Sequence, residues 1–313
     1  MVALGGGRAF RRAALAALAA ASLLLAAACT TDSASDSGAN RNISVKAANG
    51  DVRITESPER VVSLSPTATE MLFDIGAGEQ VVAVDDQSSY PDDAPRTSLS
   101  GLTPSADAIA AYRPDLVVVD ADRNGVVAAL NKLDVPVLVE PAATKLDDSY
   151  DQLIDLGTAT DNTDAAEKVV TQLKATLAEA VERVKDAPRR SYFHELDNTY
   201  FSVTSATFVG SIYGLFKLDN IADAAAPAGN DYPQLNAEYI VRSNPDLIFL
   251  ADGACCGQSA QTVAQRPGWG QLTAVQRDQV ISLDADTASR WGPRVVEFAE
   301  DVATAIDKAA ANN

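Results

Sequence analysis

One short pattern occurs twice in this chain, 131 residues apart. In each copy an acidic residue lies seven positions before a Pro-Asp-Leu sequence that opens an apolar strand. The acid is Asp107 before Pro114 in the first copy and Glu238 before Pro245 in the second. An apolar helical residue follows each acid, which argues against a chance match. The repeat predicts that the chain folds into two similar halves.

Short apolar runs alternate with helical patterns in both halves. A parallel sheet that is covered by helices on both faces produces such runs, so the fold class is α/β with mostly parallel sheets. Apolar residues at three- and four-residue steps predict one amphipathic helix over residues 163–186, roughly 35 Å long at 1.5 Å per residue. Pro188 prevents its continuation. The predicted strands lie near 61–64, 81–84, 115–119, 136–139, 191–196, 246–250 and 280–283.

The N-terminus is typical of an exported protein. Three arginines within the first twelve residues precede an apolar run over 13–28, which predicts a signal peptide at 1–28. The apolar run is short for a membrane span. Cys29 follows three alanines, and this sequence resembles the lipobox of bacterial lipoproteins, which implies a lipid on Cys29. Residues 29–56 begin with a small, polar stretch that predicts a flexible tether.

The charge argues against nucleic acid as a partner. The formal net charge is −18, and removal of the signal peptide, with three arginines and no acid, lowers it to −21. Such a chain repels phosphate backbones. If Cys29 carries lipid, only Cys255 and Cys256 remain. Outside the cytoplasm they favour a vicinal disulfide, with a free thiol pair as the alternative. One histidine and no Cys-x-x-Cys argue against a structural zinc site.

The sequence over 57–310 resembles the class III substrate-binding proteins of ABC importers for iron–siderophores, haem and cobalamin. The resemblance lies in the segment Ser63–Glu70 (SLSPTATE), the two Pro-Asp-Leu strands, the long helix and the lipoprotein start. It implies two Rossmann-like lobes, at 57–162 and 188–313, joined by a rigid helix at 163–187. It also implies an extracytoplasmic, membrane-anchored monomer that hands a small molecule to a permease dimer and has no enzymatic activity or cofactor.

In this family one acid on each lobe docks onto arginine pockets of the permease, and Asp107 and Glu238 match those positions. Asp107 is one methylene shorter than the family's glutamate. The alternative for both residues is a solvated acid in the first turn of a helix, where the helix dipole favours negative charge.

Ligands of open α/β sheets lie beyond the carboxyl ends of the strands. Arginine presents a fixed fork of donors to oxyanions, so Arg123 and Arg290 could bind an anionic chelate from opposite lobes. Structural ion pairs are the alternative for both, and the acids nearby could instead select a cationic ligand. The full set of candidate ligand-binding residues is Ser65, Thr67, Gln87, Tyr90, Asp120, Arg123, Glu195, Tyr200, Tyr232, Arg290 and Trp291.

The ligand cannot be named from sequence, but some classes are favoured. Cobalamin binders of the family line the cleft with aromatic residues, whereas Gln87, Asp120 and Glu195 stand at those positions here and only Tyr232 is aromatic. A corrin needs apolar walls, so an iron chelate is favoured, with cobalamin or haem as alternatives. A metal-ion receptor or an enzyme rank lower, because His194 is the only histidine and no catalytic motif is present. His194 itself fits a structural role better than a metal site.

Overall fold

A hairpin opens the computed structural model, which describes residues 42–311. Its strands β1 (Ile43–Ala47) and β2 (Gly50–Ile54) pair antiparallel, and their alternate apolar side chains are buried. In the turn, Ala48 N donates to Val139 O over 3.1 Å, which attaches the hairpin to the edge of the neighbouring sheet. The prediction of a flexible tether through residue 56 is therefore wrong for the hairpin. Covering an edge strand in this way blocks pairing with other chains.

The predicted signal peptide and the lipidation site at Cys29 lie outside the described residues. Between residues 42 and 311, no helix combines the length and the apolar character that a membrane span needs. Residues 42–311 lie within one compact unit.

The first lobe is built on a four-stranded sheet in which all neighbouring strands are parallel. Its strands are buried along their whole length, with the exception of one partly exposed valine, as a sheet covered on both faces requires. The elements are β3 (Val61–Leu64), α1 (Pro66–Asp74), β4 (Val81–Val84), α2 (Ala106–Ala110), β5 (Leu116–Val119), α3 (Val126–Asn131), β6 (Val137–Val139) and α4 (Leu146–Ala159).

The chain leaves the first lobe through one long helix, α5 (Thr163–Arg183). Its buried residues recur at three- and four-residue steps, as predicted, and they pack against α4 on one side and against the C-terminal helix on the other. Near its end, Arg183 forms ion pairs with Glu300 at 2.5 Å and Asp307 at 3.1 Å. These contacts fix the connecting helix to the second lobe.

The second lobe is a second four-stranded parallel sheet. Short helical turns occupy the region between its last two strands, as the sequence predicts. The elements are β7 (Ser191–Glu195), α6 (Phe208–Leu215), β8 (Asp219–Asn220), α7 (Ala237–Ser243), β9 (Leu247–Leu250), α8 (Gly253–Cys256), α9 (Ala260–Ala264), α10 (Thr273–Gln276), β10 (Val280–Ser282) and α11 (Val295–Ala311).

Both sheets have the same strand order. In each lobe the first strand lies between the second and the third, and the fourth lies outside the third: β4-β3-β5-β6 and β8-β7-β9-β10. The predicted fold of two like-built α/β lobes is confirmed.

The aspartate of each Pro-Asp-Leu sequence has the same structural role in its lobe. The Asp115 carboxylate accepts a hydrogen bond from Arg60 N at 2.9 Å, and the Asp246 carboxylate accepts one from Ser191 N at 2.9 Å. In both cases the donor lies at the start of the lobe's first strand. The repeat therefore aligns the two central strands of each sheet.

Candidate functional site

The loops at the carboxyl ends of the strands form the place where a ligand of this fold binds. Loops from the two lobes touch there: Ser89 Oγ donates to Asp286 Oδ2 at 3.1 Å, and Arg290 Nη2 donates to Gln87 O at 3.3 Å. We call these loops the cleft edge. It comprises residues 85–90, 120–125, 196–202, 251–257 and 284–291.

Arg290 does not present a free guanidinium to the cleft. Its Nη1 lies 2.6 Å from Glu70 Oε1, and its Nη2 lies 2.9 Å from Asp286 Oδ1. The buried Glu70 carboxylate also binds Arg294, at 2.8 Å, so one acid on the first lobe holds two arginines of the second. These contacts match the alternative of a structural ion pair, and a ligand contact by Arg290 stays a prediction.

Arg123 is also paired within its own loop. Its guanidinium forms a two-point ion pair with the Asp120 carboxylate, one bond of which, from Nη2 to Oδ2, measures 3.1 Å. Both side chains remain about one-third exposed. They therefore reach the cleft edge as a neutral pair, not as a free cation and a free anion.

Trp291 packs between the lobes. Its indole Nε1 donates to Gln152 Oε1 at 2.8 Å, and its carbonyl accepts a hydrogen bond from the Ser149 hydroxyl; both partners are on α4. Its ring is partly buried against the hydrophobic core. These contacts engage the indole N–H and part of the ring, and the stacking of Trp291 on a ligand stays a prediction.

Glu195 is fully buried at the end of β7. Arg266 holds it with two bonds, Nη1 to Oε2 at 2.6 Å and Nη2 to Oε1 at 2.5 Å, and also donates to Gln258 Oε1 at 2.6 Å. The prediction that Glu195 contacts the ligand is therefore wrong. Its charge is neutralised inside the second lobe by a residue 71 positions away.

Asp252 lies beside this ion pair and is also fully buried. Neither of its carboxylate oxygens has a hydrogen-bond donor among residues 42–311. Burial and, next, the negative charge of Glu195 raise the pKa of Asp252 to about 7.

Cys255 and Cys256 form a vicinal disulfide in the helical turn α8, which begins directly after Asp252. Cys255 is exposed. We call Arg266, Glu195 and Gln258 the Arg266 cluster. Gln258 Nε2 donates to Cys256 O at 3.1 Å, so the turn is connected to this cluster. The disulfide was the preferred state from sequence, and the turn lies on the cleft edge.

Ser65 and Thr67 do not face an open cleft. Both are only 3% exposed, and Ser65 Oγ accepts a hydrogen bond from Ala68 N at 3.3 Å as the N-cap of α1. Ser65 therefore caps the first helix, and a direct ligand contact by either residue would require it to become exposed.

His194 is a structural residue in the core of the second lobe. It is fully buried, and its Nδ1 lies 2.8 Å from the Tyr213 hydroxyl. Burial lowers the pKa of His194 to about 3, so the ring is neutral. In the part of the chain that the structure describes, no three His, Cys, Asp or Glu side chains are arranged to hold a metal ion.

Aromatic side chains are exposed near the cleft edge on both lobes. Tyr90 is 44% exposed with the Arg294 guanidinium 4.3 Å from its ring centre, and Tyr232 is 55% exposed. Phe201, 37% exposed, was not predicted from sequence. Tyr200 instead stacks on the buried Trp269, with ring centres 5.6 Å apart. Gln87 is exposed, as the prediction requires.

Asp107 and Glu238 occupy equivalent positions on the two lobes. Each is exposed in the first turn of a short helix, two positions after an N-cap: Ser105, which accepts from Ala108 N, and Asn236. Beside Glu238 is a surface pocket of about 470 Å³. It is lined by Tyr200, Ala237, Glu238, Val241, Arg242, Pro267, Gly268 and Trp269.

Four charged residues of the site were not predicted from sequence: Glu70, Glu140, Arg266 and Arg294. Glu70 stands in the quoted segment SLSPTATE but has no sequence signal for burial. Glu140 follows β6, is 5% exposed, and its Oε1 has no partner within residues 42–311. The available sequence signal for Glu140 was its position directly after the apolar strand β6, whose residues are all buried.

Comparison with known proteins identifies the family. Residues 61–287 match the family model described as periplasmic binding protein. The chain is 28% identical over 270 residues to an uncharacterized ABC transporter substrate-binding lipoprotein, YvrC, of Bacillus subtilis, with 83% of each chain covered. It is 30% identical over 263 residues to the vitamin B12-binding protein of Pectobacterium atrosepticum, covering 80% of this chain and 88% of that protein.

A solved structure agrees with these sequence matches. The periplasmic vitamin B12-binding protein BtuF of Vibrio cholerae superposes with a TM-score of 0.68 at 26% identity, covering 81% of this chain and 98% of that one. The two like-built lobes and the extent of the family match define a periplasmic solute-binding protein. The chain belongs to the periplasmic binding protein family, in its class III branch of ABC-importer receptors.

Proposed function

We propose that this protein is an extracytoplasmic receptor that binds a ferric siderophore or a related iron chelate between its lobes. It then delivers the chelate unchanged to the permease dimer of an ABC importer. The observation that carries the proposal is the meeting of two like-built sheets at their carboxyl ends, in a chain of the periplasmic binding protein family. The receptor acts as a monomer, held at the membrane by a lipid on Cys29.

The exposed groups of the cleft edge suit a compact, oxygen-rich chelate. Gln87 offers an amide, and Tyr90 offers an aromatic face with a hydroxyl from the first lobe. Tyr232, which lies outside the cleft-edge segments but near the bridge of Phe201 with Gln234, offers another from the second lobe. Rings of this kind pack against the organic shell of a chelate, and their hydroxyls can donate to its oxygens. Because these groups need no charge on the ligand, the pairing of Arg123 and Arg290 does not weaken the proposal.

Cobalamin is the second candidate. The vitamin B12-binding proteins among the relatives favour it. Phe201 adds an exposed aromatic face that the sequence did not predict. A corrin needs broad apolar walls, and the few exposed rings provide less apolar area than such a ligand would cover. We therefore rank the iron chelate first.

A thermal-shift screen tests the proposed ligand. Residues 40–313, which form one compact unit, are heated with ferric siderophores, haem, cobalamins and divalent metal salts. A ligand at a hundredfold excess over its Kd stabilises the fold by about 2.7 kcal/mol, which corresponds to several degrees in Tm. We expect the largest shift from a ferric siderophore. A shift with cobalamin alone would replace the first candidate with the second.

A further inference from the structure

The cleft edge has a strong excess of acidic residues. Its five segments contain eight aspartates, two arginines and no lysine or glutamate. The two arginines are Arg123 and Arg290. Both are already bound by carboxylates of the protein: Asp120 for the first, and Glu70 with Asp286 for the second.

Arginines that reach the cleft edge from outside it are also occupied. Arg96 donates to the carbonyls of Ser88 and Ser89, at 2.7 and 2.8 Å. Arg294 donates to Glu70 with two bonds, at 3.0 and 2.8 Å. A ligand that enters the cleft therefore meets guanidinium groups whose donors already have acceptors. Carboxylates compensate the charges of Arg123, Arg290 and Arg294, whereas Arg96 has only the exposed Asp92, 4.0 Å away.

Several acids of the cleft edge, by contrast, have no cation. Asp86 and Asp122 are exposed, and neither forms an ion pair within residues 42–311. Asp122 accepts only a backbone bond, from Val127 N at 3.1 Å, and Asp86 only a weak one from the Gln87 amide at 3.3 Å. These carboxylates give the cleft a negative field that the protein does not cancel.

A second, independent observation comes from the second lobe. Asp252 has two buried carboxylate oxygens without a donor partner in the described region, beside a glutamate that already uses the nearest guanidinium. A buried carboxylate without a partner is costly. A positive charge nearby would stabilise its ionised form, and a negative one would raise the cost further.

We infer that the solute bound in this cleft carries no net negative charge, and that its preferred form bears a cationic group such as an ammonium. This inference rests on the proposed role of the cleft as the ligand site and narrows its ligand class. A polyanionic chelate would have to approach the uncompensated aspartates, while the arginines named above already donate to acceptors of the protein. A cationic chelate gains from the same field, and low ionic strength increases that gain.

Three chelates of the same metal test the inference by calorimetry on residues 40–313. The first is the ferric complex of a linear trihydroxamate with a terminal amine, which is cationic. The second is the same chelator acetylated on that amine, which makes its ferric complex neutral. The third is a ferric tricatecholate, which is trianionic. We expect acetylation to weaken binding by about five- to tenfold at low salt and less at high salt, and the tricatecholate to bind least tightly.

A matched pair of variants tests the cause. Asp120→Asn and Asp122→Asn remove the same charge from the same loop, but only the first releases the Arg123 guanidinium from its ion pair. We expect Asp120→Asn to raise the affinity for the tricatecholate at least several-fold more than Asp122→Asn does. Equal effects of the two variants would overturn the claim that paired arginines exclude anions.

The outcomes separate the inference from the proposed function. Tighter binding of the tricatecholate than of both hydroxamates overturns the inference and leaves a ferric-chelate receptor intact. Binding of the neutral cobalamin, with no chelate bound, overturns the proposed iron chelate and supports the inference on charge. Binding of haem alone, which carries two carboxylates, overturns both, as does a failure to bind every probe.

Discussion

Glu140 is the residue at which the fold most clearly changes acid–base behaviour. It is buried at the carboxyl end of β6, and burial, with a smaller contribution from Asp155, raises its pKa from 4.5 to about 8. Between these two values the folded chain keeps a proton that the unfolded chain releases. The contribution of this proton to the stability of the folded chain is therefore fully present below about pH 4.5 and is lost as the pH rises through 8.

Glu140→Gln should reduce this loss, because glutamine cannot ionise. We expect the difference in the free energy of unfolding, variant minus wild type, to increase by about 2–5 kcal/mol between pH 5 and 9. Urea denaturation at several pH values measures it. The exposed Glu79→Gln is the control and should follow the wild type at every pH. A Glu140→Gln curve parallel to the wild type would show that the carboxyl ionises normally.

At the residue scale, sequence located side chains but not their partners. Glu195 ends β7 and Arg290 lies in the loop after β10, so both are at the carboxyl ends of the sheets, as predicted. Their partners, Glu70 and Arg266, are 220 and 71 positions away, and nothing local in the sequence specifies these pairs. Because a buried charge needs a partner, Glu195 and Arg290 form ion pairs within the protein in the absence of a ligand.

The disulfide turn α8 is the element whose local order should depend on one bond. A link between adjacent residues closes almost no loop, so it removes little conformational freedom from the unfolded chain. It does hold the turn that Gln258 connects to the Arg266 cluster. We therefore expect reduction to loosen the turn locally while changing the free energy of unfolding by less than about 1 kcal/mol.

Hydrogen–deuterium exchange checks this expectation. A dithiol reductant should speed exchange over residues 253–262 in the wild type. The double variant Cys255→Ser with Cys256→Ser should exchange fast there with or without reductant. No change on reduction of the wild type would show that the turn is held by its hydrogen bonds alone.

At the element scale, long apolar runs and the amphipathic helix were predictable because burial imposes their pattern. The hairpin of β1 and β2 was missed, since each strand has only two or three apolar residues among small polar ones, as a tether does. Its alternation of apolar and polar residues was the signal available. Its stability comes from contacts with β6 and α4, far along the chain.

For the whole molecule, the repeat predicts a docking surface with one acid on each lobe. Asp107→Ala with Glu238→Ala should lower ligand uptake into cells at least several-fold without changing the affinity for the ligand, because exposed ion pairs act mainly on orientation and encounter. Asp107→Glu should preserve uptake. Glu179→Ala, an exposed acid on the connecting helix, is the control and should be neutral. Normal uptake by the double variant would remove the docking role.

The central claim is that one small solute contacts both lobes at the carboxyl ends of their strands. Hydrogen–deuterium exchange with and without the tightest ligand of the screen tests it most directly. We expect protection of cleft-edge segments in both lobes, at 85–90 and 120–125 in the first and at 196–202, 251–257 and 284–291 in the second. Protection confined to one lobe, or located at the amino ends of the strands, would contradict it.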